Sequence, residues 1–351
     1  MAYRTRAADA AKSLLGMASN RLMTPNPAQL HSVSSALDKS LDWTVDDAHG
    51  DQLRERPFEP SFYETAPKSL SFQVRPSGRG VGRDDQREIS TQAMRQLVGE
   101  QFGRDARHWL DGRTEAMRGD WAQAKGYGAM YALGFDENGL NEAAASYEWG
   151  PHIADTLPEP LMALARIAVE QLPGLRPLYT TIRCGRASGG QQMSFAIDAD
   201  TRLDDLAPLM RALGLGERHG GLRMLVSFVL GARFVLPAGT SVLTVLNSRN
   251  GPELRLDVNI DALPDVPEQL LPLLRLPMTE RPQNLAALDR WMTAMTPDGF
   301  HGPGAVTVLS VRVRRDMPAR LALYLRPVQF ESEASRAALA PAEAPTPVAA
   351  A

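Results

Sequence analysis

Five hairpins of alternating apolar and polar residues, each preceded by helical sequence, recur along this chain and limit the folds open to it more than any other feature. The last is the clearest: Ala305 to Arg315, a turn at Asp316 to Pro318, then Arg320 to Arg326. Leu321, Leu323 and Leu325 fall on one side of a pleat, and Arg320, Ala322, Tyr324 and Arg326 on the other. A strand of this kind suits a sheet whose outer face is covered by helices and whose inner face lines a wet cavity.

The other hairpins read the same way. Phe58 to Glu64 and Ser69 to Pro76 flank residues 65–68, and Leu178 to Arg186 and Gln191 to Ile197 flank residues 187–190. Met130 to Phe135 and Asn141 to Trp149 flank Asp136-Glu-Asn-Gly139, and Ser241 to Asn247 and Glu253 to Asp261 flank Ser248-Arg-Asn-Gly251. An Asn-Gly pair between alternating runs is a strong hairpin signal. Helical spacing is predicted over 88–102, 105–118, 158–171, 203–213, 222–233, 267–274 and 284–295. An open sheet of ten strands would leave two unpaired edges, whereas closure removes both and encloses a lumen. The predicted fold is therefore α+β: a ten-stranded antiparallel barrel built from five helix-helix-strand-strand units, with the helices outside.

The expected organisation is an N-terminal helical segment over 1–55 packed on the barrel, the barrel itself over 56–330, and a disordered Ala/Pro-rich tail over 331–351. A net charge of −3 disfavours nucleic acid as a partner, since phosphate-backbone binders carry a basic excess. No apolar run approaches the roughly 20 residues of a membrane helix, and the basic N-terminal stretch lacks the apolar core of a signal peptide. The single cysteine, Cys184, has no internal partner, which fits a reducing, cytoplasmic compartment.

Three stretches on these hairpins resemble aromatic prenyltransferases of the prenyltransferase-barrel fold, in particular the dimethylallyltryptophan synthase branch. Arg56-Pro-Phe-Glu-Pro-Ser61 is similar to that branch's Pro-Phe-Glu-x-Ser and precedes a strand ending Gln73-Val-Arg-Pro76. Ser146-Tyr-Glu-Trp-Gly-Pro151 is similar to Lys-x-Tyr-x-x-Pro with its proline one residue late, and Arg320-Leu-Ala-Leu-Tyr324 is similar to Arg-x-Lys-x-Tyr. The resemblance spans most of Arg56 to Phe330.

It implies transfer of an isoprenyl group from an isoprenyl diphosphate to an electron-rich aromatic, usually an indole. It implies no metal and no cofactor beyond the diphosphate co-substrate. Glu59 falls on the family's base for the indole N–H, and Tyr147 and Tyr324 on its cation-shielding tyrosines, with Phe195 and Trp149 as further wall residues. Lys68, Arg183, Arg255, Arg312 and Arg320, with Arg326, are the candidate diphosphate-binding cations, because a guanidinium meets phosphate oxygens two at a time. The expected partners are these two small molecules, for a monomer or homodimer.

The chain departs from the family where a lysine precedes each tyrosine by two residues. Ala145 precedes Tyr147, Met193 precedes Phe195, and Ala322 precedes Tyr324. Arg255 precedes Asp257, and Ser71 stands at an arginine position. Asp257 has two readings, an ion-pair partner of Arg255 or Arg312, or an alternative carboxylate base. Glu59 likewise reads either as the base or as the partner of Arg54 or Arg56 at a surface turn. Asp84-Asp85 reads as a solvated loop rather than a magnesium site, and His152 and His301 as loop residues. Two other functions stay open: a cyclase or isomerase acting on an aromatic metabolite without ionising a diphosphate, and a non-catalytic carrier of an aromatic ligand.

Overall fold

A computed structural model describes residues 5–45, 56–78, 80–117, 128–150, 153–186, 188–332, 335–336 and 339. The expected tail falls mostly outside these residues, as do His152 and Arg54. Ten strands close into one barrel: β1 (Phe58–Tyr63), β2 (Leu70–Val74), β3 (Ala129–Asp136), β4 (Gly139–Glu148), β5 (Leu175–Gly185), β6 (Gly189–Ile197), β7 (Ser241–Ser248), β8 (Gly251–Asn259), β9 (Gly304–Arg314) and β10 (Met317–Pro327). Every neighbour is antiparallel and sequential, and β10 returns to β1 through Ala322 opposite Tyr63 and Tyr324 opposite Ser61. Closure leaves no barrel edge open to another chain.

Helices α1 (Ala7–Leu22), α2 (His31–Ser40), α3 (Arg83–Gln101), α4 (Arg104–Thr114), α5 (Glu159–Gln171), α6 (Leu206–Ala212), α7 (His219–Val229), α8 (Leu270–Arg275) and α9 (Pro282–Met295) surround it. The helix α3 packs on β3 and β4, α4 on β5, α5 on β7, and α7 on β9 and β10. The core is the layer between barrel and helices. Leu254, Leu256, Val258, Val311, Val313, Leu323 and Leu325, the outward members of the alternating strands, are fully buried there. Burying one such side chain contributes about 1.5–3 kcal/mol. The predicted helix over 88–102 begins five residues earlier, and Asp84 and Asp85 lie in its first turn, where Asp85 caps the Gly82 amide. An anion at that position is favoured by the helix dipole.

Both Asn-Gly sites are hairpin turns, with Asp136 paired to Gly139 and Ser248 to Gly251. The asparagines keep negative φ, and each glycine, at φ 98° and 94°, takes the left-handed position that closes the turn. The last turn is tighter than predicted: pairing resumes at Met317 opposite Arg314, so Met317 and Pro318 belong to β10.

Candidate active site

Alternation along the strands aims one set of side chains into the barrel. They enclose a cavity of about 500 Å³, within the usual range of about 300–1,000 Å³ for ligand pockets. The five tight turns lie at one end of the barrel. Glu59, Gln73 and Asn259 lie near the opposite end.

Glu59 is buried in the lumen wall on β1. Thr307 Oγ1 donates to its Oε1 at 2.6 Å, Gln73 Nε2 donates to Oε2, and Arg56 Nε lies 3.7 Å from Oε1. Burial pushes its pKa above the ordinary 4.5 of a free carboxylate; Arg56, the two donors and Arg75 offset only part of that. Arg56 holds φ 52°, a backbone conformation that costs a non-glycine residue about 1–3 kcal/mol. Its guanidinium joins Glu59 to Asn259 and Asp261. The pairing expected at a surface turn is therefore present, but inside the lumen.

Near the turn end, each arginine stands beside a carboxylate. Arg183 forks onto Glu142, and Arg312 meets Glu253 through Nε at 2.7 Å and Nη2 at 2.5 Å. Arg320 Nη1 lies 3.4 Å from Glu64, a fully buried carboxylate that also takes Arg281 Nε at 2.7 Å and the Asn284 amide at 2.9 Å. One lumen position further in, Arg255 Nη2 meets Asp257 Oδ2 at 3.2 Å. Burial works against the Arg255 charge, but Asp257 and the tyrosines Tyr324, Tyr179 and Tyr63 outweigh it, so its pKa is raised. Of the two readings of Asp257, the ion pair is present, and its partner is Arg255.

Six arginines line the cavity, namely Arg56, Arg75, Arg183, Arg255, Arg312 and Arg320, against three carboxylates, Glu59, Glu142 and Asp257. The lumen wall thus carries a cationic excess, with Glu64 and Glu253 as further buried counter-charges at the turn end. Three tyrosines stand among these arginines. Tyr63 and Tyr324 are edge-on with ring centroids 6.1 Å apart and hydroxyls at 2.8 Å, and Tyr179 lies within hydrogen-bonding reach of Ser194 and Arg255. Burial raises the pKa of Tyr179 and Tyr324, so both keep their protons at neutral pH.

Glu59, Arg183, Arg255, Arg312, Arg320, Tyr324 and Asp257 meet in this one cavity. Tyr147 does not. It faces the helices, buried, with its hydroxyl 3.0 Å from Thr91 of α3. The alternating lumen residues of β4 are Glu142, Ala144 and Ser146, with Asn141 at its turn end, one residue out of step with the sequence expectation. Phe195 and Met193 also face outward, and Gln192 lines the lumen on β6. Trp149, just beyond β4, packs partly buried against the core. Lys68 is exposed in the turn between β1 and β2 and does not line the cavity. Arg326 bonds Asp261 at 2.9 Å and Glu331 at 3.0 Å beyond the Glu59 end and likewise leaves the wall. Tyr63 and Tyr179 were missed although period two marks both: Tyr63 follows Glu59 and Ser61 on one face, and Tyr179 precedes Thr181 and Arg183 on another.

Among the described residues, no group of three or more His, Cys, Asp or Glu is placed to hold a metal ion. No described helix is long and apolar enough to cross a membrane.

No protein-family model matches the chain, and no curated protein matches it in sequence. Solved structures match it over nearly their whole length. The 5-dimethylallyl tryptophan synthase of Streptomyces coelicolor, in complex with DMASPP and Trp, is 15% identical with a TM-score of 0.70, covering 94% of this chain and 97% of its own. The 6-dimethylallyltryptophan synthase of Micromonospora olivasterospora, with the same two ligands, is 14% identical at TM-score 0.69, covering 92% and 98%. The prenyltransferase PriB, in a ternary complex with L-tryptophan and dimethylallyl thiolodiphosphate, is 16% identical at TM-score 0.63, covering 96% and 99%. With its ten sequential strands closed inside a ring of helices, the chain has the prenyltransferase-barrel fold of these proteins.

Proposed function

We propose that the chain transfers an isoprenyl group from an isoprenyl diphosphate to an electron-rich aromatic acceptor of indole type. One observation carries this reading: a buried carboxylate stands toward one end of a closed lumen and a cluster of arginines toward the other, with tyrosine rings among them. The solved structures that share the fold, two of them holding DMASPP and Trp, support it.

Each group then has a task its chemistry suits. The guanidiniums of Arg183, Arg255, Arg312 and Arg320 meet the diphosphate and stabilise the negative charge that grows as its C–O bond breaks. The allyl cation left behind lies against the faces of Tyr63, Tyr179 and Tyr324, whose negative quadrupoles attract it and whose bulk excludes water. Glu59 keeps oxygen lone pairs beyond those occupied by Gln73 and Thr307, and one accepts the acceptor's N–H, which orients the ring and enriches its electrons. The isoprenyl diphosphate is the only co-substrate this scheme needs.

The test is incubation with dimethylallyl diphosphate and a panel of indoles, tryptophan included. Pyrophosphate and a prenylated product are expected. Absence of both, together with no diphosphate binding by calorimetry, overturns the reading. It would favour the cyclase, isomerase or carrier alternatives, toward which the carboxylate beside each of the four arginines already points.

A further inference from the structure

The geometry points to Asp257 as the base that removes the ring proton after prenyl transfer, an inference that rests on the proposed function. When a ring carbon attacks the allyl cation it becomes tetrahedral and keeps its hydrogen, and the ring stays cationic until that proton leaves. Such an arenium ion is a strong acid, so even an ion-paired carboxylate suffices. What the step demands is an anionic oxygen beside the reacting carbon.

Three carboxylates line the lumen, and two are committed elsewhere. Glu59 takes the acceptor N–H, and Glu142 is forked by Arg183 near the turns. Asp257 is the third. Along β8 the residues on its side of the strand run Glu253, Arg255, Asp257, Asn259 from the turn end to the Glu59 end, spaced about 7 Å apart by two-residue steps. Asp257 therefore lies one step from a diphosphate-facing cation. It also lies one step from the asparagine that Arg56 ties into the Glu59 network. That is where a prenyl C1 and the ring carbon it joins must meet.

Its carboxylate meets Arg255 through Oδ2, while Oδ1 accepts no hydrogen bond from a described residue. Its lumen neighbours Tyr179, Tyr324 and Ser310 are neutral hydroxyls. Such groups do not store a proton.

The electrons balance without an added reagent. The C1–O bond breaks with its pair leaving on the diphosphate, and the C1–ring bond forms from the ring's π pair. The ring C–H pair then returns to the aromatic system as its proton passes to Asp257.

The experiment compares native protein, Asp257→Asn and Asp257→Ala with dimethylallyl diphosphate carrying oxygen-18 at the bridging position and an indole deuterated on its ring. In Asp257→Asn, product formation should fall about 10²–10⁴-fold, the span of general-base catalysis. Oxygen-18 scrambling, which reports ionisation, should persist. A primary deuterium effect should appear that the native protein lacks, and formate should restore turnover to Asp257→Ala. Equal turnover in native protein and variants overturns the assignment, and points to the departing diphosphate as base. Scrambling and product falling together overturn it as well, because Asp257 then only holds Arg255. If the native protein itself forms no product, the proposed function fails and takes the assignment with it.

Discussion

The two ends of the lumen answer the cost of burying charge in opposite ways. At the Glu59 end a single carboxylate is enclosed by a hydroxyl and an amide, with the guanidiniums of Arg56 and Arg75 offset from it, and desolvation raises its pKa. Near the turn end Arg183, Arg312 and Arg320 each stand against a carboxylate, two of which are shared with a second arginine, so the cations are held in place but only partly neutralised. The first arrangement leaves a carboxyl able to accept a hydrogen bond from an uncharged N–H. The second holds a rigid cationic frame that an anionic group can join without the frame having to assemble.

The largest expected effect breaks the Glu59 end. In Glu59→Gln, kcat/KM for prenyl transfer should fall about 10²–10⁴-fold, while thermal unfolding should show no loss of stability. Glu59 holds its proton more tightly in the folded than in the unfolded chain. Its stabilising contribution is therefore complete below 4.5 and is lost as pH rises through the raised folded value. The unfolding midpoint of Glu59→Gln should accordingly gain on the native protein as pH increases. Activity should run the other way. The native pH profile should rise through that same folded value, and this limb should be missing from the variant. A native limb centred at an ordinary carboxylate value contradicts the burial argument.

Next in size is the arginine frame. Arg312→Met removes a guanidinium held by Glu253 through two nitrogens. Charge-assisted hydrogen bonds are worth about 1.5–3 kcal/mol, so diphosphate affinity measured by calorimetry should weaken about 10- to 100-fold. The variant should also be less stable, because Glu253, 1% exposed, keeps only the 3.6 Å contact to Arg314. Unaltered diphosphate affinity breaks the comparison, since the frame would then be structural only.

The difference between the two ends also explains what could be read in advance. Barrel closure followed from alternation, because Leu321, Leu323 and Leu325 need a helix layer and Arg320 and Tyr324 need a lumen, and both are found there. The arginines on β5, β8, β9 and β10 followed from the same period of two, whereas Glu59 was placed by its likeness to a family motif. Tyr147 failed because its motif was placed by likeness while the neighbouring proline stood one residue late. A shift of one residue moves a side chain to the other face of the sheet. The counter-charges were hidden for another reason: Glu64, Glu142 and Glu253 find their arginines across strands or from a distant helix, and only register brings such pairs together.

Tyrosines on opposite faces supply a smaller effect. Tyr147→Phe deletes the hydrogen bond to Thr91 between β4 and α3, so it should lower stability by about 0.5–1.5 kcal/mol in chemical denaturation. Product distribution and kcat should stay unchanged. A fall in kcat, or a rise in isoprenyl alcohol from water capture, would return Tyr147 to the lumen.

The smallest expected effect concerns Lys68, the one candidate cation lying in a turn. The residue is exposed between β1 and β2 and does not line the cavity, although Thr65, Ala66 and Ser69 of the same turn do. A solvated ammonium interacts with a bound diphosphate through water and salt, where screening leaves little beyond about 10 Å. Lys68→Ala should therefore change diphosphate affinity by less than about twofold at physiological ionic strength, with any residual effect vanishing as salt is raised. A loss matching that of Arg312→Met and resisting salt would mean that the turn carrying Thr65 to Lys68 folds over the mouth when diphosphate binds. The turn end would then be a closing frame rather than a fixed one.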